Sequence, residues 1–123
     1  MIKLDHLSIA VRDYPVSRDW YLQVLGLKLE FEIPERRTAA LQDDAGFTLF
    51  VAEGSARIEP QSCALYFQVD DVQREYQRLV SADIRFEHPP QKVFWGYGAE
   101  LLDPDGYRVR IWDDKSMREK GMA

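Results

Sequence analysis

The sequence predicts an α+β fold: two paired β-α-β-β-β modules that form a cupped mixed sheet with the helices on its outer face. Two repeats carry this prediction. His6-Leu7-Ser8-Ile9-Ala10-Val11-Arg12-Asp13 alternates and then stops at an acid, and Ala64-Leu65-Tyr66-Phe67-Gln68-Val69-Asp70-Asp71 does the same 58 residues later. Gly46-Phe47-Thr48-Leu49-Phe50-Val51 and Gly106-Tyr107-Arg108-Val109-Arg110-Ile111 match at an offset of 60. A repeat of this size in a chain of 123 residues means two copies of one supersecondary unit. Facing copies enclose a cavity whose lining can be compared copy against copy.

The elements follow in order. Residues 2–11 read as a strand with Leu7, Ile9 and Val11 on one face. Asp13 is a helix N-cap, and Pro15 falls in the first turn, where a missing N–H costs nothing. Val16, Trp20 and Val24 recur at helical spacing, and Gly26 ends the helix. Leu27, Leu29 and Phe31 alternate with charged residues, which predicts a half-buried strand. Residues 37–42 and 47–52 form a hairpin around Asp43-Asp44-Ala45-Gly46. That completes the first module, about 2–52.

Residues 53–61 lack periodicity and read as a linker. The second module, about 63–113, opens with the strand 63–69. A helix follows from Asp70 or Asp71, with Val72, Tyr76, Leu79 and Val80 on its buried side. A short strand at 84–87 is broken by His88-Pro89-Pro90. Residues 91–97 form a loop containing Phe94-Trp95-Gly96. A last hairpin joins 98–102 to 107–112 through Asp103-Pro104-Asp105-Gly106. The charged tail 114–123 reads as a frayed helix. The two modules together form one domain.

Composition narrows the function. Hydrophobic residues make up 46% and charged residues 30%, as in ordinary globular proteins. No apolar run is long enough for a membrane span, and the N-terminus lacks the apolar stretch of a signal peptide, so the expected location is cytoplasmic. A net charge of −5 argues against a nucleic-acid partner. The lone Cys63 starts an apolar strand and reads as an inert thiol, not a nucleophile.

The doubled module, the segment His6 to Asp13 and the turn Asp103-Pro104-Asp105-Gly106 together resemble the vicinal oxygen chelate superfamily. That group contains glyoxalase I, extradiol dioxygenases, fosfomycin-resistance enzymes and bleomycin-resistance proteins. The resemblance covers the chain from about residue 4 to residue 113. Trp95-Gly96, the Asp103 turn and Gly46-Phe47-Thr48-Leu49-Phe50-Val51 look most like the bleomycin-resistance branch. The resemblance implies the glyoxalase/bleomycin resistance fold and a homodimer.

Strand parity sorts the cavity positions. His6, Ser8 and Ala10 face the concave side, as do Thr48, Phe50 and Ala52. In the second copy Ala64, Tyr66 and Gln68 take that side with Arg108, Arg110 and Trp112. Metal-dependent members of the resembled group place ligands at four positions, which fall here on His6, Phe50, Ala64 and Arg110. Only His6 has a suitable donor, and Arg110 carries a fixed positive charge that repels a cation. The expectation is therefore a protein with no metal or other cofactor and no catalytic residue. It would bind a small organic molecule, such as an antibiotic or an aromatic or anionic compound, through His6, Phe50, Tyr66, Trp95, Arg108, Arg110 and Trp112. For Arg108 and Arg110 the competing expectations are pairing with Glu100 or burial at a dimer interface. One alternative function is a lyase or dioxygenase using a displaced metal on His6 with His88 or Glu100. Another is a non-catalytic dimeric scaffold.

Overall fold

The computed structural model describes residues 1–54 and 57–122. The chain divides into two compact units, Met1–Ile58 and Glu59–Ala123, and each repeats the same order of elements. In the first, strand β1 (His6–Val11) leads into helix α1 (Tyr14–Gln23), then β2 (Lys28–Ile33), β3 (Thr38–Gln42) and β4 (Thr48–Glu53). The sheet order is β1-β4-β3-β2, with β1 parallel to β4 and the other pairs antiparallel. In the second, β5 (Ala64–Gln68), α2 (Val72–Ser81), β6 (Phe86–Val93), β7 (Gly96–Leu102) and β8 (Arg108–Trp112) give the order β5-β8-β7-β6. The eight strands thus form two mixed four-stranded sheets, one per copy.

Each unit buries one face of its sheet. Ile9, Val51 and Ala39 lie in register, as do Leu49 and Leu41, and all are buried. Helix α1 covers them with Tyr14, Ser17, Tyr21 and Val24, spaced three or four residues apart along one helical stripe. In the second unit Leu65 pairs with Val109 and Val109 with Leu101, Ile111 pairs with Ala99, and α2 contributes Val72 and Leu79, all buried. Each Val, Leu or Ile side chain so removed from water contributes about 1.5–3 kcal/mol before entropy is counted.

Three acidic positions recur in both copies with the same task. Asp13 and Asp71 cap α1 and α2, accepting from Val16 N–H at 3.2 Å and Arg74 N–H at 3.0 Å. Asp43 and Asp103 close the turns before β4 and β8, and each accepts two backbone N–H groups at 2.9 Å. At the end of the last strand, Glu53 accepts from Tyr14 N–H at 3.0 Å and Asp113 from Val72 N–H at 2.6 Å. Both satisfy the first free N–H of the helix. Six of the chain's 21 acidic residues thus have structural tasks.

Several expectations change. The first strand begins at His6, not at residue 2, and Leu7 is exposed at its open end. The helical stripe of α1 runs through Tyr14, Ser17 and Tyr21, while Val16 faces solvent. Tyrosine rings and a small serine bury well despite their hydroxyls, so hydropathy set the phase wrongly. Val80 is likewise exposed on α2. Glu53, assigned to the linker, belongs to β4, and Pro60–Ser62 forms a 3-10 turn. Ser55 and Ala56 of that linker lie outside the described residues. His88-Pro89-Pro90 does not end a strand. β6 runs through it to Val93, because β6 is an edge strand and its register shifts on either side of His88. The expected loop at 91–97 shrinks to the pair Phe94-Trp95 between Val93 and Gly96. In the tail, Asp114–Ser116 is helical and Met117–Gly121 continues as a π-turn.

Candidate functional site

On the second sheet, one row of side chains crosses all four strands. Tyr66 pairs with Arg110, Arg110 with Glu100, and Glu100 with His88. Directly opposite residues point to the same side, so this row rises from the face away from α2. Arg110 donates from Nε to Glu100 Oε1 at 2.7 Å, and a second guanidinium nitrogen donates to the Tyr66 hydroxyl. Three rings surround the guanidinium, with centroids 5.2 Å (Tyr66), 5.3 Å (Phe94) and 5.9 Å (Trp95) from its central carbon. The Tyr66 and Trp95 rings meet edge to face at 5.4 Å. Burial opposes the charge on Arg110, but the bonds to Glu100 and Tyr66 raise its pKa above the ordinary value. Arg110 is a permanent cation.

Arg108 stands two residues earlier on the same face, its Nε 3.6 Å from Glu100 Oε2. Its side chain is 40% exposed, against 11% for Arg110 and 13% for Glu100. Glu100 therefore lies between two guanidinium groups, close to one and loosely paired with the other. Phe94, at the tip of the β6–β7 turn, is 88% exposed, and Tyr66 is 48% exposed. Trp95 is half-buried, with its six-membered ring against the backbone of Gly98. Trp112 shares the face by parity, opposite Gln68.

The corresponding row of the first sheet reads Ser8, Phe50, Ala40 and Phe31. Where the second sheet carries Tyr, Arg, Glu and His, the first is nearly apolar. Phe50 meets Phe31 at 5.7 Å and His6 at 4.9 Å, both edge to face. His6 is exposed and its Nδ1 lies 3.2 Å from Asp5. The sequence-predicted residues thus fall into two groups: His6 with Phe50 on the first sheet, and Tyr66, Trp95, Arg108, Arg110 and Trp112 on the second.

The donor set does not suit a divalent ion. Among the described residues no three His, Cys, Asp or Glu side chains converge. Phe50 and Ala64 have no donor atom, and Arg110 brings a charge of the wrong sign. The displaced alternative fares no better at Glu100, since both of its oxygens face arginines. Cys63 is also poorly suited to attack, since burial and the nearby charge of Asp103 push its thiol pKa up.

Sequence reasoning missed Phe94 as a member of the site. Reading 91–97 as a loop concealed the tight turn that presents Phe94 and Trp95 side by side. The opposite charges of Arg108, Arg110 and Glu100 on hairpin-related strands were a readable signal, and the structure confirms that pairing.

The comparisons with known proteins agree on the fold. The family model for the Glyoxalase/Bleomycin resistance protein/Dioxygenase superfamily matches residues 3–111. An uncharacterised protein of Shewanella frigidimarina is 26% identical over 133 aligned positions, covering 94% of this chain and 93% of the relative. A possible glyoxalase from Bacillus cereus superposes with a TM-score of 0.74 at 21% identity, covering 90% of this chain and 98% of that one. Lactoylglutathione lyase from Agrobacterium tumefaciens gives 0.72 at 18% identity, with coverage of 94% and 96%. No described helix is long and apolar enough to cross a membrane.

Proposed function

This chain belongs to the Glyoxalase/Bleomycin resistance protein/Dioxygenase superfamily, and we propose that within it the protein is a metal-free binder of an aromatic, anionic organic molecule, in the manner of the bleomycin-resistance branch. The observation that carries the reading is Arg110. A residue that never loses its charge stands where metal-dependent relatives need a lone pair, and it is held there by Glu100 and by the rings of Tyr66, Phe94 and Trp95. Exposed ring faces next to guanidinium groups suit a flat ligand bearing a carboxylate. Local charge also outweighs the distant net charge of −5, because screening removes the latter beyond about 10 Å. That argues against a cationic drug as the ligand. The proposal keeps His6, Phe50 and Trp112 as further ligand contacts and a homodimer as the working form.

Two measurements test it together. Metal analysis of protein purified without chelators is expected to show no stoichiometric zinc, nickel or iron. Calorimetric titration is expected to show binding of aromatic carboxylates and none of bleomycin. Stoichiometric metal that disappears in His6→Ala would overturn the reading in favour of a metalloenzyme.

A further inference from the structure

We propose that Glu100 sets the ligand's charge: it fills the bay between Arg108 and Arg110, so that an organic anion is held by Arg108 while Arg110 serves to fix the aromatic walls. This rests on the ligand-binding reading above and sharpens it to a flat aromatic compound with one negative charge.

The two arginines occupy the same face of β8 and share Glu100, yet they differ in exposure and in how closely they are held. Arg110 is 11% exposed, holds Glu100 at 2.7 Å, donates to Tyr66 and has rings of three residues about it. A guanidinium binds a carboxylate best edge-on, through two parallel N–H donors. On Arg110 the in-plane approach is taken by Glu100 and Tyr66, so a ligand carboxylate would have to displace one of them. Arg108 is 40% exposed and its Nε is 3.6 Å from Glu100, beyond a normal hydrogen bond. Its register neighbours are Ala64 and Leu102, which offer no competing acceptor side chain. Arg108 is the guanidinium with room for a ligand.

The charges set the number of anionic groups. Two arginines and one glutamate leave a single positive charge. One carboxylate at Arg108 balances it. A second would approach Glu100 and be repelled at short range in a partly buried site. Phe94 and Tyr66 then supply the exposed ring faces against which the ligand's aromatic body lies. Discrimination therefore comes from a repulsive group as much as an attractive one.

Calorimetric titration with 2-naphthoate and its neutral isostere 2-naphthamide tests this in the wild type, Arg108→Gln and Glu100→Gln. The wild type is expected to prefer the acid by about tenfold, the effect of one charge-assisted pair. Arg108→Gln, a change at an exposed side chain, is expected to abolish that preference. Glu100→Gln keeps an acceptor for Arg110, removes the negative charge, and is expected to widen the preference several-fold. If Arg108→Gln keeps the wild-type preference, the anion is not held by Arg108, and if Glu100→Gln leaves the preference unchanged, Glu100 does not set the charge; either result overturns the inference. Equal binding of both probes by all three proteins overturns this inference and leaves the ligand-binding reading standing. Binding of neither probe by the wild type overturns both.

Discussion

At Gly98 a single added carbon would strike the carbonyl of Ile111 and the six-membered ring of Trp95. This position on β7 is what lets the indole lie against the sheet and complete the group around Arg110. Gly98→Ala is expected to cost about 1–3 kcal/mol, typical of overpacking in a close-packed site. It should also shift the tryptophan emission of Trp95 to the red as the ring is pushed into water. An unchanged melting temperature and spectrum would show that Trp95 is not seated there. The residue-level division of the site was partly legible in the sequence. Parity alone placed Arg108, Arg110 and Tyr66 on one face, because strands alternate whatever their surroundings. Which arginine is engaged and which is open depends on a 0.9 Å difference in reach to Glu100, between 2.7 and 3.6 Å, and no residue pattern encodes that.

Helix ends are where the two copies differ most in means. Gly26 closes α1 at φ +74°, and its left-handed turn lets Leu27 N–H reach the Tyr21 carbonyl at 3.2 Å. In the second copy Asp83 takes that conformation at φ +63°, with Ile84 N–H bonded to the Leu79 carbonyl at 3.0 Å. A side chain in this region is strained by roughly 1–2 kcal/mol, and glycine's greater freedom when unfolded offsets part of the relief. Asp83→Gly is expected to stabilise the protein by about 0.5 kcal/mol, raising the melting temperature by a degree or two in a thermal melt. A fall would show that the aspartate contributes something other than its backbone angle. Elements marked by glycine, such as the end of α1, were readable from sequence. Elements whose signal is ambiguous were not. Two prolines in β6 read as a break because their missing N–H groups forbid a central strand, whereas an edge strand accepts them.

At the scale of the whole chain, each unit is tied by one carboxylate from its last strand to the start of its helix. Arg37 holds the Glu53 carboxyl below its ordinary pKa, and the Tyr14 N–H adds to this. Burial works against ionisation of Asp113, but the N–H groups of Val72 and Ser116 outweigh it and lower its pKa too. A carboxylate with a depressed folded-state pKa contributes stability that is present above its unfolded value, about 4, and is lost as pH falls through the lower folded value. Melting temperature is therefore expected to drop below about pH 4, and less steeply in Glu53→Gln/Asp113→Asn than in the wild type. Parallel acid limbs in circular dichroism melts would contradict this. These ties carry a consequence for descent. A unit whose end fastens its own beginning can be duplicated whole, since the copy arrives with its fastening. Duplication then leaves one copy free to change wherever the fastening does not reach. Here acids at three positions serve both copies alike, while Ser8-Phe50-Ala40-Phe31 and Tyr66-Arg110-Glu100-His88 are different rows, so the copies differ where the fastening does not reach.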